Sequence, residues 1–175
     1  SGTFVIEAAL KSLNFAPGLF QGDFGFQHWQ DFDAELWQTL LNEAEYATKD
    51  QLQQPIIGQD RDQEVIQQAW TNAENCGVAD HIQLACRELE QVEAPADRGV
   101  IICNPPYGHR LGADEDLGLL YKRIGDIFKQ RFKGWTGYIL TGNAELAKRV
   151  GLRASRRFVV YNGGLECRLL KYELY

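Results

Sequence analysis

Methionine is absent from this chain, and histidine nearly so, with three residues in 175. A native polypeptide starts with Met, so a chain that opens Ser1-Gly2-Thr3 reads as a fragment or a processed product. The three histidines are scattered, and Cys76, Cys86, Cys103 and Cys167 contain no CxxC pair. That spacing argues against a zinc site, and no metal is expected. Cys86 and Cys103 lie in or beside apolar runs and read as buried free thiols of a reducing compartment, which points to the cytoplasm. No apolar run is long enough to span a bilayer, and no signal peptide is visible. Internal repeats, low-complexity tracts and linkers are also missing, so one domain with a substantial core is expected.

Negative charge prevails, but unevenly. The net charge is −6. Residues 1–99 carry 17 acidic and 5 basic side chains, a net −12, while residues 122–157 carry 10 basic and 2 acidic, a net +8. A basic stretch containing Lys148, Arg149, Arg153, Arg156 and Arg157 suits phosphate contacts, although a solvated helix surface would read the same way. The acidic remainder argues against tight RNA binding by this chain unaided.

Four residues are the most informative part of what is present: Asn104-Pro105-Pro106-Tyr107. They follow Gly99-Val-Ile-Ile-Cys103, an apolar run that reads as a buried strand. Two prolines cannot continue a strand, because neither has an N–H and each fixes φ. The result is a stiff corner at a strand's carboxyl end. There the Asn104 amide oxygen and the Pro105 carbonyl can accept both hydrogens of an exocyclic NH2 group, and Tyr107 can stack on the planar group that carries it. A rigid loop without chemistry is the plain alternative.

The rest of the chain alternates helices and strands. Helices are expected over Thr3 to about Leu13, 33–49, Asp62 to Cys76 (stopped by Gly77), Leu117 to Phe132 and 144–150. In the fourth helix, Leu119, Leu120, Ile124 and Ile127 are expected to point inward. Leu36, Trp37, Leu40, Leu41 and Ala44 stand at helical spacing in the second. Strands are expected at Pro55–Gly58, Ile82–Cys86, 99–103, Gly137–Leu140, Arg156–Tyr161 and Cys167–Tyr172, the last two joined as a hairpin by Asn162-Gly163-Gly164. Phe15 to Trp29, rich in Gly and aromatics, reads as an irregular packed loop. Such alternation implies an α/β fold with a mostly parallel sheet, whose ligands bind beyond the strands' carboxyl ends.

Asp60 falls just past one such end, where a carboxylate can accept both hydroxyls of a ribose. It could equally cap the following helix, for which Asp62 is the better placed residue. Glu88 and Leu89 follow the next strand: Glu88 suits an adenine amino group and Leu89 its ring, against the reading of Glu88 as an ordinary surface residue. Ser1-Gly2-Thr3 directly before a helix resembles the tail of a Gly-rich turn that lets backbone N–H groups face a ligand.

These residues together resemble the methyltransferase domain of the THUMP-linked RNA methylase family (UPF0020), which includes bacterial enzymes acting on guanine N2 of 23S ribosomal RNA. The resemblance runs over essentially the whole chain. Ser1-Gly-Thr-Phe-Val-Ile-Glu-Ala-Ala9 is similar to the second half of the family's first motif. Ala16-Pro-Gly-Leu-Phe20, Phe24-Gly-Phe26 and Trp29 resemble its characteristic loop, and Gly58-Gln-Asp60-Arg-Asp62 its ribose-binding turn. Asn104-Pro-Pro-Tyr-Gly-His-Arg-Leu-Gly112 resembles the catalytic loop, with Leu140-Thr-Gly-Asn143 and Tyr161-Asn-Gly-Gly-Leu-Glu-Cys167 completing the set. Two positions depart from the pattern: His109 stands where Glu is expected, and Arg61 where an aliphatic residue usually faces the adenine, a task a guanidinium plane can also perform.

The resemblance implies a Rossmann-like class I fold whose last strand is inserted antiparallel, and S-adenosylmethionine as cofactor. It implies Ser1, Gly2, Thr3, Asp60, Arg61, Glu88, Leu89 and Asn104 as cofactor-binding residues, and Asn104, Pro105, Pro106 and Tyr107 as catalytic. It places the first, central strand and an RNA-binding domain before residue 1. The implied substrate is ribosomal RNA, methylated at guanine N2. Adenine N6 in DNA or RNA and a protein glutamine amide remain open, since the same tetrapeptide serves all three, as does a non-catalytic RNA-binding module.

Overall fold

The computed structural model describes residues 1–108 and 114–175. They form two compact units, Ser1–Leu89 and Glu90–Tyr175. In the first, α1 (Thr3–Ser12) and α2 (Ala34–Tyr46) precede β1 (Ile56–Asp60), α3 (Gln63–Asn75) and β2 (Ile82–Cys86). β1 and β2 pair in parallel, from Ile56 opposite Ile82 to Asp60 opposite Cys86. The ends of these helices follow from local chemistry. Asp33 accepts the Leu36 N–H at the start of α2, and Asp62 accepts from Glu64 and Val65 at the start of α3. Gly77 ends α3 with φ +66°, a conformation that suits glycine. The apolar faces of α1 and α3 close on the pair of strands through Ile6, Ala9, Leu13, Ala73, Val78 and Ile82. Burying Ile6, Leu13, Val78 or Ile82 contributes roughly 1.5–3 kcal/mol of transfer free energy each.

The aromatic loop packs on α2. Phe24 and Phe26 stack with each other, and both meet the Trp37 ring edge-on at 5.5 and 5.0 Å. Two short 3-10 turns, Pro17–Phe20 and Gly25–His28, give this loop its only regular backbone. Trp37 therefore marks the packed side of α2. Leu36 and Leu40, on the neighbouring stripe, remain 55% and 47% exposed.

The second unit holds β3 (Val100–Cys103), α4 (Asp114–Arg131), β4 (Thr136–Thr141), α5 (Ala144–Arg149), β5 (Arg156–Asn162) and β6 (Leu165–Glu173). Its sheet has the order β3-β4-β6-β5. β3 and β4 are parallel, and β6 runs antiparallel between β4 and β5. Only Gly163 and Gly164 separate β5 from β6, with Gly163 at φ +61° in the first central position of a tight hairpin turn. One face of α4 fills the core with Leu117, Tyr121, Ile124, Ile127 and Phe128. Leu119, expected inward, is 49% exposed. The buried positions 117, 121, 124 and 128 follow the i, i+4, i+7, i+11 stripe, and residue 119 falls on the other side of it.

The thiols differ from expectation in one case. All four cysteines are free, and Cys167 is buried, but Cys86 is exposed because it ends β2 at the sheet margin. Cys103 is half-buried as a residue, yet burial of its sulfur pushes the thiol up to about 12. Among the described residues no helix is long and apolar enough to cross a membrane.

Candidate active site

In the first unit the candidate cofactor residues gather at the amino end of α1 and the carboxyl ends of β1 and β2. Gly2 sits at φ +72° and starts α1 without a side-chain cap. A Cβ there would lie 2.8 Å from the Cβ of Ala69, so the chain passes α3 at a separation only glycine allows. The Asn72 amide donates to the Ser1 carbonyl at 2.9 Å and fastens this turn to α3. The first helical bond runs from the Ile6 N–H to the Gly2 carbonyl, which leaves the N–H groups of Thr3, Phe4 and Val5 without an intrahelical acceptor. Such a terminus favours negative or electron-rich groups.

Asp60 is the last residue of β1 and is half-buried. One of its oxygens accepts the Asp62 N–H at 3.0 Å. The cap of α3 is Asp62, as its neighbour's geometry requires. Asp60 is thus held in place by the turn and keeps its second oxygen for a ligand hydroxyl. The Arg87 N–H donates to the Asp60 carbonyl at 2.8 Å, which continues the strand pairing one residue past β2. Glu88 follows at once, exposed at the same sheet margin as Asp60, with Arg61 exposed and Leu89 half-buried. A carboxylate at the end of β1, a second one just past β2 and an uncapped helix terminus are groups that could hold a nucleoside.

In the second unit the backbone leaves the sheet at Asn104. The Asn104 side chain is exposed, Pro105 is buried, Pro106 is exposed and Tyr107 is half-buried. The buried Pro105 anchors the corner between the exposed Asn104 and Pro106. Tyr107 is fixed by two segments far along the chain. Asn162, the last residue of β5, donates its side-chain N–H to the Tyr107 hydroxyl at 2.9 Å. Gly142, just past β4, lies so close that a Cβ would be 3.3 Å from Cδ2 and Cε2 of the ring. His109 and the rest of the loop to Gly112 lie outside the described residues.

The segment Thr141-Gly142-Asn143 has a task at each residue. Thr141 is 2% exposed and shares a 2.8 Å hydrogen bond with the buried Tyr121 hydroxyl. Gly142 makes room for Tyr107. Asn143 caps α5 by accepting from Glu145 and Leu146. From the sequence this segment is a family motif and Asn162-Gly163-Gly164 a hairpin turn; nothing local in either points to Tyr107.

A cavity of about 380 Å³ opens beside Gly142, lined in part by Lys148, Arg153, Arg157 and Arg168 with Glu166. Lys148 pairs with Glu145 at 2.7 Å, and Arg168 lies 4.0 Å from Glu166. Among the described residues, Arg153, Arg156 and Arg157 have no carboxylate within ion-pair distance.

Known proteins resemble the chain over nearly all its length. It is 54% identical over 175 residues to the "Putative RNA methyltransferase slr0064" of Synechocystis, covering all of this chain and 46% of that protein. It is 43% identical over 180 residues to the ribosomal RNA large subunit methyltransferase K/L of Syntrophotalea carbinolica, covering 99% of this chain and 25% of that protein. The chain therefore spans about half or less of these curated relatives. The crystal structure of SMU.472 complexed with SAH superposes with a TM-score of 0.91 at 34% identity, over 99% of this chain and 46% of that one. The alternating elements and the antiparallel β6 are those of the Rossmann-like class I methyltransferase fold. Residues 1–171 match the model of the RMKL-like methyltransferase domain, and the chain belongs to that family (UPF0020).

Proposed function

We propose that this chain is the catalytic domain of an S-adenosylmethionine-dependent RNA methyltransferase that modifies the exocyclic N2 of guanine in ribosomal RNA. The observation that carries the reading is the corner after β3: an exposed Asn104, two consecutive prolines and a half-buried Tyr107 whose hydroxyl is held by Asn162. When bound, S-adenosylmethionine supplies an electrophilic methyl group. Asp60 would accept its ribose hydroxyls, Glu88 its adenine amino group, and the turn Ser1-Gly2-Thr3 would lie along its polar tail, with Arg61 and Leu89 against the adenine.

The target base must leave its stack to reach Asn104. Asn104 Oδ1 and the Pro105 carbonyl then accept the two amino hydrogens, which orients the nitrogen lone pair for in-line attack. The same oxygens stabilise the positive charge that develops on nitrogen during transfer. Pro106 stiffens the loop and Tyr107 stacks on the base. Arg153, Arg156 and Arg157, without acidic partners among the described residues, suit the RNA phosphates, as do Lys148 and Arg149. The name of these relatives, ribosomal RNA large subunit methyltransferase, supports ribosomal RNA as substrate.

The whole protein extends further in this reading. β1 has one edge without a strand partner among the described residues, which suits a parallel strand ending just before Ser1. An RNA-binding domain upstream of that strand would offset the acidity of the first unit. A longer chain containing that strand should bind S-adenosylmethionine at least about tenfold more tightly than residues 1–175, measured by calorimetry. Equal affinity would remove the strand from the cofactor site.

The full-length protein with labelled cofactor should methylate ribosomal RNA, and nuclease digestion should release N2-methylguanosine. N6-methyladenosine or labelled protein glutamine would reassign the target. Asn104→Ala should lower turnover by about a hundredfold or more while cofactor affinity stays within about twofold. A large loss of cofactor binding instead would refute the role given to Asn104. No cofactor binding by the full-length protein would favour a non-catalytic RNA-binding module.

A further inference from the structure

We infer that Asn162 is a positioning residue for Tyr107, and that the β5–β6 hairpin serves the target base through it. This rests on the reading of Tyr107 as the ring that stacks on that base. Tyr107 stands on the loop after β3, a position from which a side chain could adopt several rotamers. Its hydroxyl accepts a 2.9 Å hydrogen bond from Nδ2 of Asn162, 55 residues later in the chain. Asn162 itself is rigidly held. It is the last residue of β5, registered opposite Leu165 across the ladder, with a two-residue turn directly beyond it. A group carried on a strand end next to a tight turn has little freedom, so the bond transfers the precision of the sheet to the loop.

The other side of the constraint is Gly142. Its Cα approaches the ring closely enough that an added Cβ would sit 3.3 Å from two ring carbons and 3.1 Å from Cδ2 of Leu165. One hydrogen bond at the hydroxyl and one close backbone approach at the ring edge fix both ends of the Tyr107 side chain. Four strands therefore converge on one aromatic ring: β3 leads to it, β4 delivers Gly142, β5 ends in Asn162 and β6 starts at Leu165. Asn162 touches neither the target amino group nor any reacting atom in this arrangement. Its effect passes through the orientation of the ring.

The decisive test is a double-mutant cycle on the full-length protein. Tyr107→Phe removes the hydroxyl and keeps the ring, while Asn162→Ala removes its donor. Each should lower kcat about five- to tenfold, with S-adenosylmethionine affinity unchanged, and the double variant should be no slower than either single one. Independent losses that multiply would overturn the inference, as would a Tyr107→Phe variant with full activity. A readout without RNA runs beside it. With 3-fluorotyrosine at position 107, Asn162→Ala should move the ¹⁹F resonance, whereas Gly164→Ala in the same turn should leave it in place. An unmoved resonance in Asn162→Ala overturns the inference whatever the kinetics show. A resonance that moves in a full-length protein unable to methylate any RNA would support the contact and sink the functional reading instead.

Discussion

Replacing Gly142 by Ala is the smallest change that should reach the candidate target pocket. Gly142 is not among the glycines with positive φ, so alanine meets no backbone penalty there and the effect is steric. The new methyl would lie 3.3 Å from Cδ2 and Cε2 of Tyr107, against an ordinary carbon–carbon separation of about 3.5–4.0 Å. Relief requires a ring movement of about 0.3–0.4 Å, because Asn162 holds the far end of the side chain and the Leu165 methyl, at 3.1 Å, is crowded by the same group. Misplacement by 1 Å costs on the order of a hundredfold in rate, so a shift of this size should cost about four- to sixfold in kcat. Cofactor affinity should not change, and the loss of stability should stay near about 1 kcal/mol, since the ring is only half-buried. Gly164→Ala is the control, because nothing lies within 4 Å of a Cβ at that position. Steady-state methyl transfer, calorimetry with S-adenosylmethionine and thermal melting give the three readouts. A Gly142→Ala protein with wild-type kcat, or a Gly164→Ala protein equally slow, would refute the reasoning.

Thr141→Val should destabilise the protein by about 1–3 kcal/mol, because it leaves the buried Tyr121 hydroxyl without its 2.8 Å partner; adding Tyr121→Phe should recover part of that loss in urea unfolding. Burial pushes the phenols of Tyr121 and Tyr172 and the thiol of Cys103 up to about 12, so the fold keeps these groups neutral while the unfolded chain ionises them from pH 9–10 upward. The unfolded state then binds fewer protons than the native one, and stability should be fully present below about pH 9 and fall steadily toward pH 12. A urea midpoint that stays level between pH 8 and 11 would contradict this. Iodoacetamide should modify exposed Cys86 first, and Cys103 and Cys167 only after unfolding, as read by peptide mass mapping.

Local chemistry made much of the fold legible. Strand and helix periods, the Asp62 cap, the Gly77 stop and the Gly163-Gly164 turn depend on neighbours a few residues away, and each stands where the sequence placed it. What was not legible depended on distant partners. The phase of α4 put Leu119 outward because Leu117 and Tyr121 took the core, a choice made by the sheet beneath rather than by the helix. Leu36 and Leu40 share helical spacing with Trp37, but which of them packs was not written in that spacing: the aromatic loop settled on Trp37 and left both leucines exposed. Cys86 looked buried within an apolar run and is exposed because it ends its strand. The corner at Asn104 could be read from two prolines. The partners of Tyr107 could not, because the strand order that brings residues 142 and 162 to residue 107 is a property of the whole second unit.

The distribution of charge follows the same division. The first unit has 14 acidic and 4 basic residues and presents Asp60 and Glu88 to the candidate cofactor. The second has 10 acidic and 14 basic residues and presents Asn104 and Tyr107 to the candidate base. A sulfonium cofactor is positively charged and is favoured near the acidic unit, whereas an RNA backbone is favoured near the basic one. On the proposed reading, long-range electrostatics would favour each ligand at its own unit, and the neutral groups of the Asn104 corner would need only to select an amino nitrogen. Raising ionic strength should weaken RNA binding through Arg153, Arg156 and Arg157 and leave selection at Asn104 intact. In a salt series, KM for RNA should rise steeply while the identity of the methylated nucleoside stays fixed. A product that changes with salt would mean that phosphate contacts, and not the proline-stiffened corner, choose the base.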